Sequence, residues 1–329
     1  MVTVQNFFAA SNVLIVAGKG GVGKTTVGAV IAFAAARSGC DVLLIELEGY
    51  SNLEPLGFGS VGPEPRRAAE HLLPADAGVL EVMQLRPDEA LADYLDRTGM
   101  GPIIKTFSRT GAVEVVVAAA PGLRDLVTLG KIRQLEEAGR ADLIVVDAPA
   151  SGHALSLLTA AAGMADSASG GPIREQADQA LAMLGDETRC RVVLVTLPEE
   201  TPVSETIETA FDIEDEVGVK LGPVIVNGLW PEIEGLADAV DGGIDGAIGD
   251  GETGDGTPAG DDMARRAADY TLTRTADQQA QVARLSAELP LPQIHLPQLF
   301  TAALGPGDLA TLADALAASP VVAGDGARL

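Results

Sequence analysis

A glycine-rich stretch near the N-terminus, Gly18–Thr26, constrains the fold of this chain more than any other feature. It follows the apolar run Val13–Ala17 and opens into a second apolar stretch, Val27–Ala34. A buried strand, a glycine turn and a helix N-terminus in this order form a phosphate-binding loop, in which backbone N–H groups and the helix dipole face an anion. The stretch has the full Gly-x-x-x-x-Gly-Lys-Thr pattern, so we predict a nucleotide-binding P-loop.

The residues of this loop have expected roles. In P-loops the lysine of the motif reaches the β- and γ-phosphates, and the hydroxyl of the next residue binds Mg²⁺. We therefore assign the phosphates to Lys24 and the metal to Thr25, with ATP and Mg²⁺ as the cofactors. The predicted nucleotide-binding set is Gly18, Gly20, Gly21, Val22, Gly23, Lys24, Thr25 and Thr26.

A second lysine, Lys19, directly follows the first glycine of the loop. Its side chain is expected to point out of its own cradle, towards phosphates bound by a second subunit. A cation supplied in this way to the transferring phosphoryl group acts as an arginine finger does. The alternative is a solvated loop lysine. We include Lys19 among the catalytic candidates and expect a dimer.

The composition argues against several other classes of protein. A formal charge of −25 over 329 residues disfavours a nucleic-acid or anionic-membrane surface. The two cysteines, Cys40 and Cys190, form no Cys-x-x-Cys pair, so we expect no cysteine zinc clasp, no iron–sulfur cluster built from a repeated motif of one chain, and a reducing compartment. No apolar stretch is long enough to span a membrane and no basic signal region precedes Lys19, so a cytoplasmic location is expected.

Apolar strand-like runs alternate with helical segments along the rest of the chain. Runs of this kind are typical of a parallel sheet that helices cover on both faces. We predict a single P-loop NTPase domain over 1–329, of class α/β, with a doubly wound, mostly parallel sheet flanked by helices. Strands after the first are predicted at 41–47, 79–85, 142–147, 192–197, 224–227 and 291–296.

Three segments are expected to interrupt this pattern. Helical insertions are predicted over 54–140 and 152–186, and an acidic Gly-rich loop over 235–262 is predicted to be disordered. Apolar residues of the second insertion supply either core packing or an exposed groove for an apolar client. These residues are Leu155, Leu157, Leu158, Met164, Leu181, Met183 and Leu184.

Two polar residues that end predicted strands complete the candidate site. Asp147 closes the run 142–147, where a P-loop enzyme keeps the carboxylate that holds magnesium and its waters. The alternative role for an acid at this place is a simple strand-end cap. Asn227 closes the run 224–227, and its side-chain amide is a candidate contact for the adenine edge.

Together these landmarks resemble the deviant-Walker P-loop ATPases and, within them, the anion-transporting (arsenical-pump) ATPase family. That family includes the soluble ATPase that targets tail-anchored membrane proteins. The resemblance rests on Lys19–Thr26, on Val226-Asn227, and on Asp147–His153, which is similar to the family pattern Asp-Thr-Ala-Pro-Thr-Gly-His. It implies that Lys19 acts between subunits, that Asp147 is the switch-two aspartate and that Asn227 contacts adenine.

The resemblance also implies a function and partners. Family members are dimeric ATPases that couple their nucleotide state to a protein client with an apolar segment or to a membrane partner. The segment Gly122–Leu126 is similar to the shorter bacterial members, some of which pair unlike subunits, so a homodimer and a heterodimer both stay open. Arsenite activation in the family requires clustered thiols, which the spacing of Cys40 and Cys190 does not provide.

One position departs from the family pattern. Switch one usually has Asp-Pro-Ala, whose aspartate orients the attacking water, and the aligned residues are Glu48-Gly49-Tyr50. A displacement of about 1 Å in a catalytic group costs on the order of 100-fold in rate. Glu48 is therefore a catalytic candidate, and the alternative function is a weakly hydrolysing regulatory subunit paired with an active homologue. A partition ATPase is disfavoured by the negative net charge.

Overall fold

An eight-stranded sheet forms the centre of the protein in a computed structural model that describes residues 7–8, 10–47, 53–97, 122–149, 151–241 and 258–323. Its order is β3-β4-β2-β5-β1-β6-β7-β8, and every neighbouring pair is parallel except β3 with β4. This confirms the predicted α/β class. The strands are β1 Val13–Gly18, β2 Val42–Glu46, β3 Arg66–Arg67, β4 Leu80–Gln84, β5 Leu143–Asp147, β6 Cys190–Thr196, β7 Val224–Leu229 and β8 Gln293–Pro297.

Helices cover both faces of the sheet. They are α1 Lys24–Arg37, α2 Pro87–Arg97, α3 Leu123–Glu137, α4 Ser151–Ser167, α5 Pro172–Leu184, α6 Glu200–Glu216, α7 Leu236–Asp241, α8 Pro258–Glu288, α9 Pro306–Ala318 and α10 Pro320–Ala323. One core cluster packs α1, α9 and α10 against one face of the sheet. A second cluster packs the five helices from α2 through α6, and the end of α8, against the other face. Among the described helices, none combines the length and apolar character needed to cross a bilayer.

The central strands are buried on both faces, which explains their uninterrupted apolar runs. Alternate residues of β1 enter opposite core clusters: Ile15 faces the α2–α6 layer and Val16 faces α1. Full burial of each such side chain contributes about 1.5–3 kcal/mol. The same alternation holds in β2, where Leu43 and Leu44 enter opposite clusters. Because side chains alternate between the two faces, the side chain at a strand end lies on the same face as the residue two positions before it.

Two of the predicted insertions contain further regular elements. The segment 54–140 includes β4, which confirms the strand predicted at 79–85, and β3, which was not predicted, and both extend the sheet beyond β2. The two arginines of β3 carry no apolar alternation, so only their pairing with β4 defines them as an edge strand. The segment 235–262 is helical at both ends, in α7 and the first turns of α8. Residues 242–257 between them lie outside the described residues, and their disorder stays a prediction.

The apolar residues of α4 and α5 pack into the core and do not form an exposed groove. Leu157, Leu158, Met183 and Leu184 are fully buried. Leu155, Met164 and Leu181 are partly buried and pack against the core cluster of the α2–α6 face. Helices α4 and α5 pack against each other and against α3, so their apolar faces are buried within this layer.

Candidate nucleotide-binding site

The loop from Gly18 to Gly23 has the backbone that a P-loop requires. A β-carbon on Gly18 would overlap the Val195 carbonyl oxygen of β6, so only glycine lets the end of β1 lie this close to its neighbour. Gly23, which precedes α1, has φ +89°, in the left-handed region that glycine adopts without strain. Helix α1 has neither a side-chain cap nor an acid in its first turn. Its first N–H groups therefore face the loop, where an anion binds.

Substitution of Gly23 by alanine is expected to abolish nucleotide binding. A β-carbon there would overlap Nδ2 of Asn227, and a left-handed backbone costs alanine about 1–2 kcal/mol. Binding of a fluorescent ATP analogue, followed by equilibrium titration, measures the effect. Gly163→Ala in α4 is the control, because nothing lies within 4 Å of its β-carbon position and it is not part of the loop. Equal affinities for the two variants would contradict the expectation.

Lys24 lies inside the loop with its charge directed at the loop's own backbone. Its Nζ donates a hydrogen bond to the carbonyl oxygen of Lys19 at 3.0 Å. Burial lowers the pKa of Lys24, and the nearby charge of Asp147 opposes this. The ammonium is thus held at the loop, where it can bind a phosphate, as the sequence predicts for this position.

Thr25 and Asp147 meet beneath the loop. The Thr25 hydroxyl donates a hydrogen bond to Oδ2 of Asp147 at 2.6 Å. Asp147 is 8% exposed, and its other oxygen, Oδ1, is buried without a hydrogen-bond partner. Burial raises the pKa of Asp147, against the Thr25 hydrogen bond and the charge of Lys24. A buried carboxylate oxygen without a partner marks a place where a cation fits.

The donor set at this place suits magnesium. Mg²⁺ takes hard oxygen ligands, and it usually binds through one or two carboxylates together with phosphate oxygens and waters. The Thr25 hydroxyl and the Asp147 carboxylate are ligands of this kind. Within the described ranges, no group of three or more His, Cys, Asp or Glu side chains could enclose a metal ion. The residues therefore fit a metal that phosphate and water help to hold.

Asn227, two residues before the end of β7, lies directly against the P-loop. Its Nδ2 donates a hydrogen bond to the carbonyl oxygen of Val22 at 2.9 Å. The order β1-β6-β7 brings the carboxyl ends of these parallel strands to one edge, where ligands bind in such sheets. Its contact with adenine stays a prediction, while its place beside the loop is a feature of the fold.

Gln278, a residue that the sequence did not single out, holds the last part of β7, just after Asn227. It is buried in α8, and its Oε1 accepts a hydrogen bond from the backbone N–H of Trp230 at 2.8 Å. Its Nε2 donates to the carbonyl oxygen of Gly228 at 3.4 Å. A glutamine in a long polar helix carries no sequence signal of such a role.

Lys19 turns away from its own loop and contacts α6. Its Nζ lies 3.5 Å from Oε1 of Glu205, and the two side chains are 35% and 34% exposed. Ion pairs at this exposure stabilise by about 1 kcal/mol or less. Glu205 was not a sequence candidate, because an acid on a helix surface has no distinguishing pattern. The lysine is thus held weakly, and its ammonium remains partly accessible to solvent.

The remaining candidates divide between described and undescribed parts of the chain. Gly20 and Gly21 are exposed and Thr26 is half-buried at the start of α1. Glu48 lies outside the described residues. The structure thus brings Lys24, Thr25, Asp147 and Asn227 together around one loop. The place of Glu48 beside them stays a prediction.

The two thiols are buried on opposite faces of the sheet. Cys40 packs in the α1 cluster and Cys190 in the α2–α6 cluster. Burial raises the pKa of Cys190 to about 12, and burial also raises the pKa of Cys40. Two protonated thiols separated by a sheet cannot form a thiol cluster.

Comparisons with known proteins agree with this geometry. The model of the anion-transporting ATPase family matches residues 11–168. A putative ATPase of Mycobacterium bovis is 33% identical over 241 residues, which is 70% of either chain. A putative arsenical pump-driving ATPase of Halobacterium salinarum is 25% identical over 67% of this chain and 36% of its own length. The ATPase GET3B of Arabidopsis thaliana is 25% identical over 65% of this chain and 63% of its own length.

Proposed function

Because the chain belongs to the anion-transporting ATPase family, we propose that it is a dimeric switch that hydrolyses ATP and couples its nucleotide state to a partner protein. The observation that carries the proposal is the pair Thr25–Asp147 beneath an intact P-loop. The Oδ2 oxygen of Asp147 accepts a hydrogen bond from Thr25, while Oδ1 is buried and has no hydrogen-bond partner. A strand-end cap would use that oxygen in a hydrogen bond, whereas a metal site leaves it for a cation.

Each residue of the loop has a place in this mechanism. The N–H groups at the start of α1 and the Lys24 ammonium bind the phosphates, and their orientation is set before ATP arrives. Thr25 and Asp147 would hold the magnesium ion. When bound, that ion neutralises charge that develops on the transferred phosphoryl group. Asn227 braces the loop through Val22 and presents its amide on the side proposed for adenine.

Lys19 completes the site across a dimer interface in this proposal. Its pairing with Glu205 is weak enough for the γ-phosphate of a second subunit to replace Glu205, because a phosphate carries more negative charge than a carboxylate. ATP would then join two subunits, and hydrolysis would separate them. The ion pair with Glu205 describes the state in which the lysine is withdrawn.

The proposed partner is a protein with an apolar segment or a membrane protein. Two of the similar proteins are named for such coupling, as arsenical pump-driving ATPases. The separated, buried thiols disfavour arsenite itself as the effector. The partner does not bind to an α4–α5 groove, since those apolar faces lie in the core. The link from ATP to a partner therefore passes through the change in subunit association.

Association that depends on ATP is the direct test of this proposal. We expect sedimentation velocity to show a dimer with Mg²⁺ and a non-hydrolysable ATP analogue, and weaker association with Mg²⁺ and ADP. Lys19→Ala should reduce the difference, because the cation that bridges the subunits is lost. Lys131→Ala is the control, a lysine of α3 that pairs with Asp93 at a distance from the loop. A monomer under every nucleotide condition would exclude the dimeric switch.

The second candidate function is a regulatory subunit that hydrolyses ATP poorly. The departure Glu48-Gly49 from the family's Asp-Pro favours it, because glutamate places the carboxylate farther out and loss of proline loosens the turn. Single-turnover hydrolysis by the purified chain separates the two functions. A chemical step as fast as that of an arsenical pump-driving ATPase such as that of Acidiphilium multivorum, measured in parallel, would exclude the regulatory subunit.

A further inference from the structure

A second acid, Glu46, ends β2 beside Asp147. It is 2% exposed, and glutamate is rarely buried to this extent unless another group pairs with it. In the sheet its Cα is opposite Asp147 of β5 on one side and Gln84 of β4 on the other. Directly opposed residues of parallel strands have side chains on the same face. Glu46, Asp147 and Gln84 therefore form a polar row across three strand ends.

This row lies on the face that the P-loop helix covers. A β-carbon on Gly28 of α1 would lie 3.9 Å from Leu44 and 4.0 Å from the β-carbon of Asp147. Leu44 precedes Glu46 by two residues, so the two side chains share a face. The acids are thus next to each other under α1, at the edge where the P-loop binds phosphate.

Two carboxylates on adjacent strands repel each other unless a cation lies close to both. Adjacent strands are about 4.8 Å apart, and glutamate has one more methylene than aspartate. The Glu46 carboxylate can therefore extend past that of Asp147. At that reach it would contact a water bound to the metal and not the metal ion itself. Magnesium keeps several of its waters when it binds to proteins.

From this placement we infer that Glu46 is a second acid of the magnesium site, which accepts a hydrogen bond from a metal-bound water and orients it. The inference rests on the proposed function, because it requires nucleotide and Mg²⁺ at the P-loop. Glu46 is a positioning residue in this role, acting through the water and not on the phosphate. The resemblance to the family pattern had instead pointed to Glu48, two residues farther along the sequence.

Metal binding tests the role directly. The probe is Mn²⁺, titrated into the protein saturated with ADP and detected by electron paramagnetic resonance. We expect Glu46→Gln to weaken Mn²⁺ affinity about tenfold, since partners of metal ligands contribute 10- to 100-fold. Its affinity for ADP without metal should equal that of the wild type. Glu46→Asp keeps the charge but loses the methylene that sets the reach of the side chain, so it should recover only part of the metal affinity.

The matched control is Glu81→Gln. Glu81 lies on β4 opposite Leu43, on the other face of the sheet, where it pairs with Arg140. We expect this variant to bind Mn²⁺ as the wild type does.

Each other outcome is decisive. If the wild type binds no nucleotide, the proposed function fails and the role of Glu46 fails with it. If the wild type binds Mn²⁺ with ADP and Glu46→Gln binds it equally well, only the role of Glu46 fails. If Glu46→Gln and Glu46→Asp both lose their thermal transition or their metal-free ADP affinity, Glu46 is a structural residue and the inference is overturned.

Discussion

Replacing Lys19 with alanine is expected to lower the rate of ATP hydrolysis by about 1,000-fold or more, the usual contribution of a cation supplied to the transferring phosphoryl group. ATP affinity of the single subunit should change little, because the Lys19 side chain contacts Glu205 and not its own loop. Steady-state phosphate release at saturating ATP measures the effect. The protein concentration must exceed the dissociation constant of the dimer, so that lost association is not mistaken for lost chemistry.

Glu205→Gln is the control that separates the lysine from its resting contact. It removes the ion pair and leaves Lys19 in place. Because that pair stabilises by about 1 kcal/mol or less, hydrolysis should rise by no more than about fivefold or stay unchanged. A large loss of activity in Glu205→Gln would mean that the ion pair itself, and not the released lysine, supports catalysis.

Mixing two inactive variants shows whether Lys19 acts between subunits. A Lys19→Ala subunit keeps its own Lys24, and a Lys24→Ala subunit keeps Lys19. In a mixed dimer, one site therefore combines an intact loop with an intact lysine from the opposite subunit. Recovery of hydrolysis on mixing is expected if Lys19 acts across the interface. If Lys19 acts within its own subunit, mixing restores nothing.

The second large effect is expected for Asp147→Asn, which should lower hydrolysis on the order of 100-fold, since a group that stabilises transition-state charge contributes several kcal/mol. Asparagine keeps an oxygen for the Thr25 hydroxyl, so the local packing survives while the metal loses its charged ligand. Phosphate release as a function of Mg²⁺ concentration is the measurement. We expect a higher Mg²⁺ requirement together with the lower maximal rate.

Stability should move in the opposite direction from activity in this variant. Burial raises the pKa of Asp147, so the folded chain binds this proton more readily than the unfolded chain does. The ionised carboxylate therefore destabilises the metal-free protein once the pH exceeds the unfolded pKa of about 3.9. Thermal unfolding at neutral pH without metal should show Asp147→Asn at least as stable as the wild type.

Asp142→Asn serves as control for the same strand. Asp142 lies just before β5, at the opposite end from Asp147, where it accepts a hydrogen bond from the backbone N–H of Asp41 at 2.9 Å. Its loss should leave the Mg²⁺ requirement and the hydrolysis rate unchanged. Equal losses of activity in the two variants would show that Asp147 acts on the fold and not on the metal.

Local sequence was sufficient to predict most of the elements. Helix α1 ends at Arg37, where the local sequence Ser38-Gly39 terminates it. Strand β5 follows from its continuous apolar run and ends at Asp147 as predicted. These features depend on neighbouring residues alone: periodicity, turn chemistry and the conformational freedom of glycine. The edge strand β3 was not predicted, because only its partner β4 defines it.

Local sequence patterns alone were enough to predict a P-loop that contains Lys24 and Thr25, and a buried strand that ends at Asp147. Spacing along the chain was enough, because a glycine turn between a strand and a helix forms the same cradle wherever it occurs. Which side chains surround that cradle depends on how the strands and helices pack in three dimensions. The pairing of β2 with β5 places Glu46 beside Asp147, the order β1-β6-β7 brings Asn227 onto the loop, and the packing of α6 gives Lys19 its contact with Glu205. These neighbours are distant in sequence, so their positions depend on strand order and register, which no local pattern encodes.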